Sequence, residues 1–123
     1  RQLLRRIASS ARQVRVPAVY MRGGTSKGVF FMKDDLPSDQ AQRDAVLLRA
    51  IGSPDPYEKH IDGMGGATSS TSKVVLLSRS EHDSYDVDYL FGQVHINHPE
   101  IDWSGSCGNL MAAVGPCAIR QGL

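Results

Sequence analysis

The segment from Asp102 to Leu123 limits the possible folds of this chain most strongly, because it joins a polar loop directly to an apolar run. It reads DWSGSCGNLMAAVGPCAIRQGL. Residues Ser104–Ser106 suit the loop before a helix, and Gly122 suits its end. The pattern therefore predicts one helix over Cys107–Gln121. Since no polar face occurs before Arg120, we expect other structure to enclose this helix.

Cys107 is the first candidate for chemistry, because it is expected at the amino end of this helix. The unpaired amides of Gly108 and Asn109, together with the positive helix pole, would favour a thiolate, a carboxylate or an enolate there. A cysteine that only packs explains the same pattern, since free cysteine is usually buried. Pro116 beside Gly115 predicts a kink within the helix. This stretch alone leaves the role of Cys107 open.

Length and composition indicate one small domain. The chain has 123 residues, of which 41% are hydrophobic, and no apolar run approaches the roughly 20 residues that a membrane span needs. Cys107 and Cys117 lie in one expected helix, where their spacing fits neither a disulfide nor a zinc site. We therefore expect no membrane, no metal and a reducing compartment, the cytoplasm.

The first 15 residues form a basic leader, with five arginines and no acidic residue, although the net charge of the whole chain is only +1. Such a leader could be a mitochondrial targeting remnant, a nucleic-acid arm, a helix of a larger chain, or a solvated segment without function. Nothing else in the sequence is basic enough to indicate nucleic acid as a partner.

A β-hairpin is predicted after the leader. The alternation from Val14 to Tyr20 indicates a strand, with Pro17 at its beginning or at a sheet edge, and Val29–Met32 indicates the next strand. Between them, Arg22–Gly28 reads RGGTSKG, a tip rich in glycine, hydroxyls and cations that would suit an anion. It is not a P-loop, because the lysine precedes the glycine, and a plain tight turn would also use these glycines.

Two further regular elements are predicted. Ser38 as the N-cap and Gly52 as the end indicate a helix over about 38–50. Its inward stripe should contain Ala41, Ala45, Leu48 and Ile51. The segment Tyr85–Asn97 indicates a long or bent strand, with a bulge at Gly92. Trp103, which follows it, is expected to be a packing anchor rather than a platform for a substrate.

The loop Ile61–Ser72, which we call the serine loop, reads IDGMGGATSSTS and precedes Lys73 and a predicted strand at Val74–Ser78. Its glycines and hydroxyls could offer backbone amides and side chains to a carboxylate, with Lys73 as a cation or a proton acceptor. A low-complexity surface loop would have a similar composition. His95 and His98 lack a third ligand at a suitable spacing, so a metal site is not expected.

Three stretches together resemble one family. They are MRGGTSKGVFF at 21–31, GSPDPY with IDGMGGATSSTSKV at 52–57 and 61–74, and DVDYLFGQV with DWSGSCGNL at 86–94 and 102–110. Through these stretches the chain is similar to the PrpF proteins over about Val16–Leu123. The leader at residues 1–15 lies outside the resemblance.

The resemblance implies an α+β fold like that of diaminopimelate epimerases. Such proteins have two pseudo-symmetric halves, each a mostly antiparallel sheet curled around a central apolar helix, with the active site between the halves and no cofactor. Residues 16–123 would then be the N-terminal half-domain, with the second half absent and Cys107 at the cleft end of the central helix. The isolated half is expected to be inactive or weakly active, and its exposed wall could form a homodimer.

The resemblance also implies a reaction, the cofactor-independent cis–trans isomerisation of 2-methylaconitate in the 2-methylcitrate route of propionate breakdown. A proton would be removed and returned through a delocalised dienolate. Related proteins act on other unsaturated di- and tricarboxylates, such as oxalomesaconate and methylitaconate, and this alternative stays open. A non-catalytic fragment that binds a carboxylate or an aconitase-like dehydratase is the alternative of a different class.

Carried over by position, the resemblance gives Lys73 and Cys107 as the proton-transfer residues, with Lys73 as the principal acid or base. It also implies a surrounding set of residues that bind the carboxylates of the substrate. These are Arg22, Gly23, Thr25, Ser26, Lys27, Met64, Gly65, Gly66, Ser69, Ser70, Gly108 and Asn109.

Overall fold

The computed structural model describes residues 13–123, so the expectations for residues 1–12 of the basic leader lie outside the described residues. The strands are β1 (Val19–Gly23), β2 (Ser26–Met32), β3 (Lys73–Arg79), β4 (Val87–Val94) and β5 (Ile101–Asp102). The helices are α1 (Gln40–Ile51), α2 (Gly108–Met111) and α3 (Val114–Gln121), with a 3-10 turn at Lys33–Asp35. Within this part of the chain, no helix is long and apolar enough to cross a lipid bilayer.

The five strands form one sheet in the order β1-β2-β3-β4-β5. Neighbouring strands are antiparallel except β2 and β3, which are parallel and are connected by a crossover that contains α1. The expected α+β class with a mostly antiparallel sheet is therefore confirmed. Strand β1 lies at the sheet edge, which agrees with the position of Pro17 just before it.

The core lies on both faces of the sheet, because alternate residues of β3 point in opposite directions. Val74 and Leu76 pack on the face that is covered by α1. Val75 and Leu77 pack on the other face, against α2 and α3. The molecule thus has three layers, with the sheet in the middle.

The expected single helix over Cys107–Gln121 is wrong, because the chain forms the two helices α2 and α3 with a break at residues 112–113. Pro116 explains the break. In a continuous helix its ring would clash with the carbonyl of Ala112, and it has no amide hydrogen to donate. In the structure it is the third residue of α3, within the first turn, where a missing donor costs nothing.

These helices are also less enclosed than expected. The side chains of Met111 and Ile119 are 52% and 80% exposed, so the segment buries one face rather than its whole circumference. The buried residues of this segment are Leu110, Ala113, Cys117 and Ala118. The apolar composition of α2 and α3 therefore predicts more burial of these helices than the sheet provides within residues 13–123.

Helix α1 begins one residue later than expected. Asp39 is the N-cap, and its Oδ2 accepts a hydrogen bond from the amide of Gln42 at 2.9 Å, so Ser38 is not the cap. The inward face is also shifted. Leu47 and Ile51 are buried, whereas the expected core residues Ala41 and Ala45 are exposed. Gly52 ends the helix in the left-handed conformation, at φ 87°, as predicted.

Two details of the strands also differ from expectation. Residues 14–18 are not in a strand, since β1 begins at Val19, and the segment expected over 85–97 is the shorter β4. Gly92 does not form a bulge, because the pairing of β3 and β4 is continuous through it. Instead, a Cβ at Gly92 would lie 2.8 Å from both the Trp103 ring and the Ile101 side chain. Close packing of neighbouring side chains requires glycine here.

Candidate functional site

Three residues that are distant in sequence meet at one end of the strands of the sheet. Because β2 and β3 are parallel, their amino ends lie at the same end of the sheet. Their first residues are Ser26 and Lys73. Cys107, the N-cap of α2, joins them. Lys73 Nζ lies 3.5 Å from Cys107 Sγ, and Ser26 Oγ lies 3.7 Å from the same sulfur. The three residues are only 3% to 8% exposed.

The surroundings of Cys107 favour its thiolate. Burial alone would raise the pKa of Cys107, but the Leu110 amide at 3.4 Å, the Ser26 hydroxyl and the Lys73 ammonium together lower the pKa below its usual range. Burial raises the pKa of Cys117 more than the Arg120 guanidinium lowers it. Because α2 has only four residues, this stabilisation comes from local donors and not from the long helix pole expected from the sequence.

The surroundings of Lys73 include two residues that the sequence analysis did not single out. Lys73 Nζ lies 5.3 Å from the centre of the Phe91 ring, within the range of a cation–π interaction. Gln93 is the register partner of Lys73 on β4, and its Nε2 donates to the carbonyls of Ser69 at 3.1 Å and Ser72 at 3.0 Å. Gln93 therefore ties the serine loop to the strand beside Lys73. Only the register of β3 and β4 could have revealed both residues.

The tip of the β1–β2 hairpin packs against α2. A Cβ at Gly23 would lie 2.6 Å from the Asn109 carbonyl oxygen. Gly24 has a φ of +52°, and its Cβ would lie 2.4 Å from Asn109 Oδ1. These two glycines are therefore required by the close approach of the tip to α2. Thr25 completes the two-residue turn and is exposed.

The two cations of the tip project away from the buried pair. Arg22 and Lys27 are register partners, so their side chains share one face of the hairpin, whereas Ser26 points to the other face. The structure thus brings Ser26 to the Lys73–Cys107 pair and directs Arg22 and Lys27 to the opposite side of the sheet. The backbone of Lys27 still contacts the serine loop, because its amide donates to the Ser70 carbonyl at 2.9 Å.

The glycine-rich part of the serine loop packs against the end of α1. The amides of Met64 and Gly65 donate to the carbonyls of Ala50 and Ile51 at 2.9 and 3.0 Å. The Gly66 amide donates to the Thr71 carbonyl at 3.1 Å. These three amides are engaged inside the protein, so in this structure they cannot donate to a carboxylate as the sequence suggested.

The remaining candidates lie in the second part of the serine loop and at the start of α2. Ser69 and Ser70 are tied to β4 and β2 by the carbonyl contacts of Gln93 and Lys27. Gly108 and Asn109 are exposed and begin α2, where no preceding helical turn accepts their amide hydrogens. The serine loop leads directly into Lys73, and Gly108 and Asn109 directly follow Cys107, so both segments adjoin the buried pair along the chain.

A buried amine and thiol at hydrogen-bond distance can share one proton, so one group can donate while the other accepts. This suits the removal and return of a proton at carbon. In residues 13–123, no group of three or more His, Cys, Asp or Glu side chains is arranged to hold a metal ion.

Comparisons with known proteins agree on one group of enzymes. The model of a family described as PrpF protein matches residues 13–123. The 2-methyl-aconitate isomerase of Cupriavidus necator is 66% identical over 116 residues, which cover 90% of this chain and 29% of that protein. The 4-oxalomesaconate tautomerase of Pseudomonas putida is 51% identical over 111 residues, or 90% of this chain and 30% of that protein.

A solved structure agrees as well. The crystal structure of a methylitaconate-delta-isomerase superposes with a TM-score of 0.84 at 50% identity, and the match covers 89% of this chain and 48% of that chain. The chain therefore spans about three tenths of the length of these curated relatives and about half of the solved one.

Proposed function

The chain belongs to the PrpF family, and from this premise we propose that Lys73 and Cys107 are the proton-transfer pair of an isomerase that acts on 2-methylaconitate. The observation that carries the proposal is the distance of 3.5 Å between Lys73 Nζ and Cys107 Sγ in a nearly buried site. The choice of substrate is supported by the 66% identity to a 2-methyl-aconitate isomerase.

The proposed reaction begins with removal of a proton from the carbon that lies next to a carboxylate and is conjugated with the double bond. The electron pair left on that carbon delocalises into a dienolate, in which the former double bond gains single-bond character and can rotate. Return of the proton then restores the double bond in the other geometry. Lys73 is the principal acid or base, acting as the base in the form of the pair in which its proton has moved to Cys107, and Cys107 is its partner or a polar anchor. No oxidation or net proton uptake occurs, so the cycle balances.

Developing negative charge on the substrate must be met by donors that are already in place. Lys73, when protonated, is one such donor and carries a positive charge. The proposed carboxylate contacts are the hydroxyls of Ser69 and Ser70 and the amides of Gly108 and Asn109. Their support is that Gln93 and Lys27 tie the serine loop to β4 and β2, and that Gly108 and Asn109 directly follow Cys107 at the start of α2.

For the whole protein we propose the two-halved fold of diaminopimelate epimerases, with residues 16–123 in the first half and α2 and α3 in its central helix. The match to the solved methylitaconate-delta-isomerase supports this. In such a fold the second half would cover the exposed Met111 and Ile119 and close the cleft over Cys107.

A second candidate is a tautomerase or double-bond isomerase of a related acid. It is favoured by the 51% identity to a 4-oxalomesaconate tautomerase and by the 50% identity to a methylitaconate-delta-isomerase. The same proton-transfer pair would serve each reaction, because all three acids present an acidic carbon beside a carboxylate and a double bond.

The test uses the full-length protein that contains this segment, incubated in deuterated water with each of the three acids. Magnetic resonance then reports both the isomer ratio and deuterium at the acidic carbon. We expect 2-methylaconitate to react fastest and Lys73→Met to slow the reaction by about 10²- to 10⁴-fold. The exposed Lys33→Met is the control and should keep the rate. An unchanged rate in Lys73→Met contradicts the assignment, and a faster reaction of another acid favours the second candidate.

A further inference from the structure

We propose that His60 is a positioning residue, whose imidazole Nδ1 holds the conformation of the serine loop, which carries Ser69 and Ser70 and leads directly into Lys73. The inference rests on the proposed function for its consequence in substrate binding. That His60 fixes the conformation of the loop is inferred from the contacts of the ring alone.

The His60 ring lies beneath the serine loop and is 1% exposed. Its Nδ1 accepts a hydrogen bond from the Ala67 amide at 3.2 Å, and Ser72 Oγ lies 3.4 Å from the same nitrogen. A Cβ at Gly65 would lie 2.2 Å from this atom, so the loop backbone packs directly on the ring. One nitrogen therefore contacts Ala67 and Ser72 and faces the backbone of Gly65.

The backbone around this contact adopts an unfavourable conformation. His60 and Ala67, the two residues joined by the hydrogen bond, have φ angles of 51° and 59°, in the left-handed region that non-glycine residues rarely occupy. Such a conformation persists only where surrounding contacts enforce it. The His60 amide donates to Asp55 Oδ2 at 2.8 Å, and its carbonyl accepts from the Gly63 amide at 3.0 Å. The backbone that carries the ring is thus held by Asp55 on one side and by the loop residue Gly63 on the other.

The tautomer of the ring follows from the same contact. Because Nδ1 accepts the Ala67 hydrogen, a neutral His60 must carry its own proton on Nε2. Nε2 is buried and has no hydrogen-bond partner among residues 13–123. A side chain selected only to fill this space would more favourably be apolar, since a buried nitrogen without a partner destabilises the fold. The acceptor at Nδ1 is therefore the feature of His60 that the structure uses.

The serine loop connects this contact to the buried pair. Ser72 is fully buried and directly precedes Lys73, and its carbonyl accepts from the Val94 amide at 2.9 Å and from Gln93 Nε2. His60 lies under the loop and Gln93 holds it from the neighbouring strand. A displacement of the loop at Ala67 would reach Ser69 and Ser70 first, so we assign His60 to substrate binding rather than to proton transfer.

The first test uses the unmodified protein. The ¹⁵N chemical shifts of the His60 ring should show a protonated Nε2 and an unprotonated Nδ1, and the Ala67 amide should exchange slowly with solvent. An Nδ1-protonated ring, or an Ala67 amide that exchanges as fast as the amide of the exposed loop residue Asp62, would overturn the proposal. This test does not depend on activity, so it stands even if no acid is turned over.

The second test compares His60→Asn with His60→Gln in the full-length protein. Asn can offer an oxygen near the position of Nδ1 and tolerates the left-handed backbone, whereas Gln reaches the position of Nε2 instead. For Gln we expect at least a tenfold higher KM with kcat within about threefold, and at least tenfold faster exchange of the Ala67 amide. Asn should restore both values to within about threefold of the wild type. Equal values for the two variants would overturn the proposal.

Discussion

Cys107 occupies a position that is usually filled by serine, threonine, aspartate or asparagine, the N-cap of a helix. An oxygen at this position accepts an amide hydrogen whatever its charge. A sulfur accepts better as a thiolate, so the Leu110 amide and the Lys73 ammonium favour the same ionised form. The chemistry of Cys107 is therefore set by the groups that face its sulfur, the Leu110 amide, the Ser26 hydroxyl and the Lys73 ammonium.

At the scale of the residue, the first prediction concerns the pH dependence of Cys107. In a Cys117→Ser protein, alkylation of Cys107 by iodoacetamide should rise with a midpoint at lower pH than that of free cysteine, because the pKa of Cys107 is lowered. Lys73→Met removes a cation that favours the thiolate and should move the midpoint to higher pH. Lys33→Met is the control. Equal midpoints in Lys73→Met and the control would contradict the stated cause.

The residue scale also shows what the sequence could predict of the site. Cys107 and Lys73 were predicted from their motifs, and the structure brings them within hydrogen-bond distance. Phe91 and Gln93 could not be found, because their relation to Lys73 depends on the register of β3 and β4. His60 was missed for a similar reason, since its contacts with Ala67 and Ser72 depend on the fold of an irregular loop.

At the scale of the element, the hairpin tip packs against α2 in a joint where the backbone at Gly23 lies close to the backbone at Asn109. Gly23→Ala should destabilise the protein by about 1–3 kcal/mol, because its Cβ would overlap the Asn109 carbonyl and neither backbone can move freely. Gly115→Ala is the matched control. Its Cβ meets no atom within 4 Å, and alanine in a helix should add up to about 1 kcal/mol. Urea unfolding measures both. A Gly23→Ala protein as stable as the wild type would contradict this view of the joint.

The break between α2 and α3 shows why element boundaries were harder to predict than elements. The run after Cys107 is helical in composition, and Pro116 was recognised as a source of a kink. A proline bends a helix if the helix continues through it, and ends the helix if a second helix begins just before the proline. Here Ala113 and Val114 begin a second helix, so that Pro116 falls in a first turn. Packing against the sheet determines which of the two occurs, and the local sequence pattern carries no information about that packing.

At the scale of the whole molecule, the sheet separates two cores. Leu47 on the α1 side and Leu110 on the α2 side are both fully buried, so each substitution by alanine should lower the free energy of unfolding by about 2–5 kcal/mol. Their effects on the site should differ. In the absence of denaturant, Leu110→Ala should speed alkylation of Cys107, because it loosens α2, and Leu47→Ala should not. Equal acceleration by both would show that global unfolding, and not α2, controls access.

The topology of the whole chain was only partly predictable. The strand segments and the helix before Gly52 could be read from alternation and turn residues. The parallel pairing of β2 and β3 could not, since each strand is compatible with either direction in its local sequence. That pairing nevertheless puts the amino ends of β2 and β3, with Ser26 and Lys73, at the same end of the sheet, so the feature that forms the site is one the sequence does not specify locally.

The meeting of Ser26 and Cys107 also affects the order in which the protein acquires its properties. These residues are separated by 81 positions in sequence, and Lys73 and Cys107 by 34. Contacts of such separation form only after large loops have closed, and they slow folding. A newly synthesised chain therefore passes through a period in which Cys107 is an ordinary thiol without its cation. The lowered pKa is acquired with these contacts, so the pH midpoint of Cys107 alkylation, rather than its rate, reports the completion of the site.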